Sequence, residues 1–179
     1  PSLERLLADR RMVFPCPPLR YQLEGAVFLY PRHAAILADE MGLGKTMQAI
    51  TAIRLLLRSG EIQRVLLVCP KPLVSNWLRE FALWAPEIPV LAIEGKPERR
   101  AWQWRQEAAP VKIANYELLI RDETVWRGGD SHSAGGRLRF DLVVLDEAQR
   151  IKNRSGAIHQ AVCALARERS WALTGTPVE

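Results

Sequence analysis

Two short stretches carry side chains that could do chemistry together. The first is Gly44-Lys45-Thr46, which closes the run Asp39-Glu40-Met41-Gly42-Leu43. The second is Asp146-Glu147, about a hundred residues further along the chain. Gly42 and Gly44 can turn backbone N–H groups toward an anion with no Cβ in the way. Lys45 can reach the phosphates of a bound nucleotide, and the Thr46 hydroxyl can hold Mg2+. Asp146 offers a carboxylate for the same metal ion. Glu147 beside it can orient an attacking water and accept its proton. The chemistry these residues suit is phosphoryl transfer. One residue departs from the general phosphate-loop pattern: Asp39 stands where the first glycine is expected.

Those side chains work only if the surrounding elements bring them to one place. Ala34–Ala38 is a short apolar run that reads as a buried strand entering the glycine turn. Beyond Thr46 the apolar period changes to that of a helix, with Met47, Ile50, Ile53 and Leu57, and Gly60 stands at its end. Asp146-Glu147 likewise follows an apolar run, Leu142-Val143-Val144-Leu145. An ordinary strand end followed by a helix rich in early acids would look the same, so the acid pair gains its meaning from the glycine loop upstream.

The rest of the chain repeats the alternation. Ser2–Arg11 and Leu19–Tyr30 read as helices, the second with Leu23, Val27 and Tyr30 on one face. Phe14-Pro15-Cys16-Pro17-Pro18 reads as a stiff connector between them. Val65–Cys69, Val90–Ile93, Val111–Ala114 and Trp171–Leu173 read as strands. Helices are expected from Pro72 through Ala85, over Glu98–Glu107, and around Ile158–Leu165. Asp122–Arg139 has loop composition. Strands alternating with helices imply a mostly parallel α/β sheet with helices on both faces. In such sheets ligands sit at the carboxyl ends of strands, where Lys45, Asp146, Glu147 and Thr174 all fall.

The 179 residues are 48% hydrophobic and 25% charged, enough for one domain with a substantial core. The net charge of +5 suits a polyanion partner without demanding one. The three cysteines show no metal-binding spacing and read as buried reduced thiols. No apolar run is long enough to span a membrane.

The motifs taken in order resemble the SWI/SNF-like family, the double-stranded-DNA translocases of helicase superfamily 2. Asp39–Thr46 resembles that family's phosphate loop, which also begins with Asp. Leu19-Arg20-Tyr21-Gln22-Leu23-Glu24-Gly25 resembles the segment upstream of it. Leu67–Pro70 through Asn76-Trp77 resembles motif Ia, and Asn115-Tyr116-Glu117 motif Ib. Asp146–Asn153 resembles motif II, with Gln149 where many superfamily members carry His. Leu173–Pro177 resembles motif III.

The resemblance implies a RecA-like P-loop lobe over residues 19–179, preceded by a helix and Pro-rich connector over 1–18. It implies ATP and Mg2+ as ligands and double-stranded DNA as partner, contacted along its backbone. Gln22 would meet adenine. Asp39, Gly42, Gly44, Lys45 and Thr46 would hold the nucleotide, with Thr46 and Asp146 on the metal and Glu147 as base. Lys71, Ser75, Asn76, Asn115, Tyr116 and Lys152 would approach DNA, although Lys71 reads equally well as a solvated loop lysine. Thr174 and Thr176 would couple nucleotide state to movement. Trp77, at helical spacing, reads as core rather than as a stacking platform, and the other tryptophans as packing. The family's motor has two such lobes, and nothing in this chain resembles the second. The expectation is therefore a first lobe that binds Mg-ATP but needs its partner lobe for full hydrolysis. A strand-separating DNA or RNA helicase lobe, or a scaffold that has lost turnover, is the alternative. A bacterial parent would place the protein in the cytoplasm or nucleoid, and a eukaryotic one in the nucleus.

Overall fold

The computed structural model describes residues 5, 12–38, 44–128 and 136–175. The expected helix over Ser2–Arg11, the tip of the glycine loop (Asp39, Gly42) and Thr176 therefore lie outside the described residues.

Six strands form one sheet: β1 (Ala34–Leu37), β2 (Val65–Cys69), β3 (Val90–Ala92), β4 (Val111–Asn115), β5 (Arg139–Leu145) and β6 (Ala166–Leu173). Their spatial order is β1-β6-β5-β2-β4-β3, and every neighbouring pair is parallel. The sequence Val-Leu-Leu-Val-Cys of β2 explains its central place. All five residues are buried, because both faces are covered. Val65, Leu67 and Cys69 point into one core, with Ile50, Trp77 and Phe81. Leu66 and Val68 point into the other, with Trp104, Leu119 and Trp126. This period of two divides the helices into two layers.

The first layer holds α1 (Arg20–Leu29), α2 (Lys45–Ser59) and α3 (Val74–Trp84), the last preceded by a 3-10 turn at Lys71–Leu73. The second holds α4 (Pro97–Arg105), α5 (Tyr116–Arg121), α6 (Glu123–Arg127) and α7 (Ala157–Ala164). Helix α2 runs from Gly44 to Gly60, both left-handed, with φ of 77° and 75°. Glycine adopts that conformation without the steric penalty a side chain brings. Gly25 serves another purpose. A Cβ there would lie 2.0 Å from Gln48 Oε1, so only glycine lets α1 and α2 approach this closely.

Several expectations need correction. β1 is an outer strand of the described sheet rather than the buried strand expected. It pairs only with β6, and Ile36 is 57% exposed. The buried face of α1 is Leu23, Ala26 and Leu29, while Val27 and Tyr30 are half-buried. The stretch expected to be loop from Asp122 begins instead with α6. Trp126 anchors that helix by donating to Leu119 O at 2.9 Å. Only Cys69 is a buried thiol; Cys16 and Cys163 are exposed. Trp102 is 59% exposed and is not packing.

Two polar clusters brace the layers. Arg100 and Asp122 form a buried bidentate pair, with Arg100 Nη2 2.8 Å from Asp122 Oδ1, and Trp104 Nε1 donates to Asp122 Oδ2 at 2.9 Å. At the end of the sheet away from Lys45, Tyr30 Oη donates to Glu61 Oε1 at 2.6 Å. Arg169 Nη2 donates to Glu61 Oε2 at 2.9 Å. That second cluster ties α1, α2 and β6 together below the site.

Candidate nucleotide site

The strand order places the proposed chemistry on adjacent carboxyl ends. β1 leads toward the glycine loop, its neighbour β6 ends at Thr174, and the next strand, β5, ends at Asp146. Residues from three distant parts of the sequence therefore share one edge of the molecule, as strand order in an open parallel sheet allows.

Gly44 caps α2, and Lys45 and Thr46 form its first turn. The N-terminal turn of a 15-residue helix presents unsatisfied N–H groups and the positive end of the helix dipole. Gln22, on α1, stands directly over this turn. A Cβ on Gly44 would come within 2.9 Å of Gln22 Nε2. Gln22 Oε1 meanwhile accepts from Leu19 N at 2.9 Å, which fixes the side chain at the start of α1. The upstream segment and the phosphate loop are thus in contact, as the motif order requires of residues sharing one nucleotide.

Asp146 is the most constrained residue of the site. Its Oδ1 accepts from Glu147 N at 2.9 Å, and its Oδ2 accepts from Trp77 Nε1 at 2.8 Å. Its backbone carbonyl accepts from Tyr116 Oη at 2.6 Å. Burial raises the Asp146 carboxyl above the usual carboxylate range. The bonds from Trp77 and Glu147 N and the charge of Lys45 pull it back down, while the charge of Glu147 opposes them. Lys45 opens α2 just beyond β1, and Asp146 follows β5, so both stand at the carboxyl ends of the parallel sheet.

Glu147 adopts φ 51° and ψ 48°, and is the one non-glycine with positive φ among the described residues. This left-handed conformation carries about 1–2 kcal/mol of strain for an ordinary residue. It turns the chain from β5 into a 3-10 turn at Ala148–Ile151. Gln149 in that turn donates from Nε2 to Glu147 Oε2, and its Oε1 accepts from Thr174 Oγ1 at 2.9 Å. A continuous chain of contacts therefore runs from the end of β6, through Gln149, to the two acids. Sequence reading noted Gln149 only as a motif variant. Nothing in its position along the chain signals that it bridges Glu147 and Thr174.

The residues expected near DNA do not all gather. Lys71 and Ser75 are exposed and line an open groove at the ends of β2 and β4. Asn76 is half-buried on α3. Asn115 lines the same groove as Lys71 and Ser75, and both Asn115 and Tyr116 also make contacts within the lobe. Asn115 is buried and accepts from Leu118 N at 2.9 Å as the cap of α5, and the buried Tyr116 spends its hydroxyl on Asp146. Lys152 is exposed but lines a separate cleft with Gln149, Arg154, His159 and Thr174. Arg121, which the sequence did not single out, is exposed beside Lys71 in the first groove. Its signal was weak, since a lone arginine closing a short helix is common.

A parallel α/β lobe with a glycine-capped, Lys-Thr helix facing a strand-end acid pair is a RecA-like P-loop lobe. The family described as SNF2-related domain matches residues 21–179, and the chain belongs to that family. It is 34% identical over 168 residues to the ISWI chromatin-remodeling complex ATPase ISW2 of Saccharomyces cerevisiae. That match takes in 89% of this chain and 14% of the yeast protein. Bos taurus DNA excision repair protein ERCC-6-like is 40% identical over 169 residues, covering 89% of this chain and 13% of its own length. The Sulfolobus solfataricus SWI2/SNF2 ATPase core in complex with dsDNA superposes with a TM-score of 0.79 at 28% identity. This superposition covers 92% of the chain and 33% of the archaeal one. The chain thus spans about one seventh of the length of the curated relatives it matches.

Proposed function

We propose that this chain is the ATP-binding first lobe of a SNF2-family motor that acts on double-stranded DNA, with hydrolysis completed by a second RecA-like lobe of the same parent protein. The observation that carries it is the placement of Lys45, at the start of α2 beyond β1, and of Asp146-Glu147, just after β5, at the same carboxyl ends of the parallel sheet. The donors present suit a magnesium nucleotide: a hydroxyl on Thr46, a carboxylate on Asp146, a lysine, and a glycine cradle that a Cβ would crowd. Thr46 and Asp146 would hold Mg2+, which when bound supplies charge to offset that of the phosphates.

The chain's own residues do the rest. Lys45 and the N-terminal turn of α2 bind the phosphates. Gln22, fixed by Leu19 N, sits where the base of the same nucleotide would be recognised. Glu147 orients a water and takes its proton; Gln149 holds the acceptor oxygen in place by donating to it. Thr174 reports through Gln149 on that same carboxylate, so a movement at the end of β6 alters the base. On the other side Lys71, Ser75 and Arg121, in a groove that also holds Glu94 and Glu117, offer groups suited to backbone contact with a duplex. The archaeal relative's complex with dsDNA supports the same choice of partner.

Equilibrium binding of a fluorescent ATP analogue tests the nucleotide half of this reading. The chain should bind it in an Mg2+-dependent manner, and Lys45→Ala should weaken binding by about tenfold or more. Equal binding by the variant would remove Lys45 from the site.

A further inference from the structure

Trp77 lies on α3, far from Asp146 in sequence, and is 1% exposed. Its ring packs in the first core against Phe81, with centroids 6.2 Å apart, which is what a helix-spaced aromatic would do anyway. Packing alone does not direct its indole N–H. That group points at Asp146 Oδ2, 2.8 Å away, although a water or a backbone carbonyl would satisfy an indole equally well. Tyr116, at the start of α5 and in the opposite core, reaches the same residue from the other side, with Oη 2.6 Å from Asp146 O. Both layers of the lobe therefore hold one aspartate, one by its carboxylate and one by its backbone. Glu147 N takes the other carboxylate oxygen.

We propose that Trp77 is a positioning residue for the Asp146 carboxylate, fixing its orientation so that a lone pair not used by Trp77 or Glu147 N faces a metal ion, with Tyr116 anchoring the backbone beneath it. The proposal rests on the reading of Asp146 as a magnesium ligand. Its physical basis is the usual dependence of a ligating carboxylate on the donors behind it, whose removal weakens metal affinity by about 10–100-fold. Neighbours of the two aromatic residues, Val74 and Leu78 on α3 and Glu117 and Leu118 on α5, line the groove that contains Lys71 and Ser75.

The test is an Mg2+ titration of fluorescent-nucleotide binding in the wild-type chain, Trp77→Phe and Asp146→Asn. Trp77→Phe keeps an aromatic ring in the core and removes only the donor. It should raise the Mg2+ midpoint about tenfold while leaving metal-free nucleotide affinity near the wild-type value. A variant that is merely loosened would lose affinity with and without the metal. In the unmutated protein, the indole N–H resonance of Trp77 should move when Mg2+ is added to the nucleotide-bound chain. An unchanged midpoint in Trp77→Phe, with a shifted one in Asp146→Asn, overturns the role given to Trp77 alone. A wild-type midpoint in Asp146→Asn overturns the metal-ligand reading as well. An indole resonance indifferent to Mg2+ in the wild type overturns the proposal even if Trp77→Phe does not fold.

Discussion

Cys69 ends β2 beneath the acid pair, and its thiol shows how dry the base of the site is. Burial, reinforced by the negative charge of Asp146, pushes it up to about 12. The folded chain therefore keeps a proton that the unfolded chain releases at its ordinary, lower value. Below that ordinary value the group contributes nothing to the pH dependence. Above it, the unfolded state is favoured as pH rises toward 12. The urea midpoint of the wild type should fall more steeply between about pH 9 and 10.5 than that of Cys69→Ala. Parallel slopes would mean that this thiol ionises as easily in the fold as out of it. At this scale the sequence was informative about identity and silent about contact. Lys45, Asp146 and Glu147 announce themselves by type and spacing. The bond from Trp77 to Asp146 does not, because a helix-spaced tryptophan looks the same whether its N–H meets a carbonyl or a carboxylate. The internal bonds of Tyr116 to Asp146 O and of Asn115 to Leu118 N were equally silent in the sequence, where polar groups in a motif suggest only an external ligand.

Among the elements, the contact of α1 with α2 is the one that brings Gln22 over the glycine loop. It depends on Gly25, over which the buried Gln48 side chain lies. Gly25→Ala should destabilise the fold by about 1–3 kcal/mol through overpacking, despite alanine's better helix propensity. Gln48→Ala in the same chain should recover most of that loss, as thermal unfolding of the two single variants and the double variant would show. A stabilised Gly25→Ala would mean that the helices are not this close. The central strands were legible because parallel strands buried on both faces are continuous apolar runs, as at Val65–Cys69. β6 extends further back than its apolar end suggested, from Ala166, because Arg167 and Arg169 are held by polar partners rather than by apolar cover. α6 was hidden by its neighbours' loop composition, and a single buried tryptophan, Trp126, holds it. The exposure of β1 was unreadable, since an apolar strand does not state which edge of a sheet it occupies.

At the scale of the whole molecule, the candidate site residues are already tied to one another by contacts within the lobe. One chain of contacts, Thr174–Gln149–Glu147, runs along the strand ends, and another, through Trp77 and Tyr116, holds Asp146 from both cores. Each is complete within this lobe, while the proposed function leaves the charge-stabilising arginines to a second lobe. The most direct test is steady-state ATP hydrolysis by this chain, alone and with duplex DNA, single-stranded DNA or RNA, beside Lys45→Ala. The account predicts turnover indistinguishable from the Lys45→Ala background under every condition, from a chain that nonetheless binds Mg-ATP. Duplex-stimulated turnover that disappears in Lys45→Ala would contradict it, and would mean that this one lobe holds everything the reaction needs.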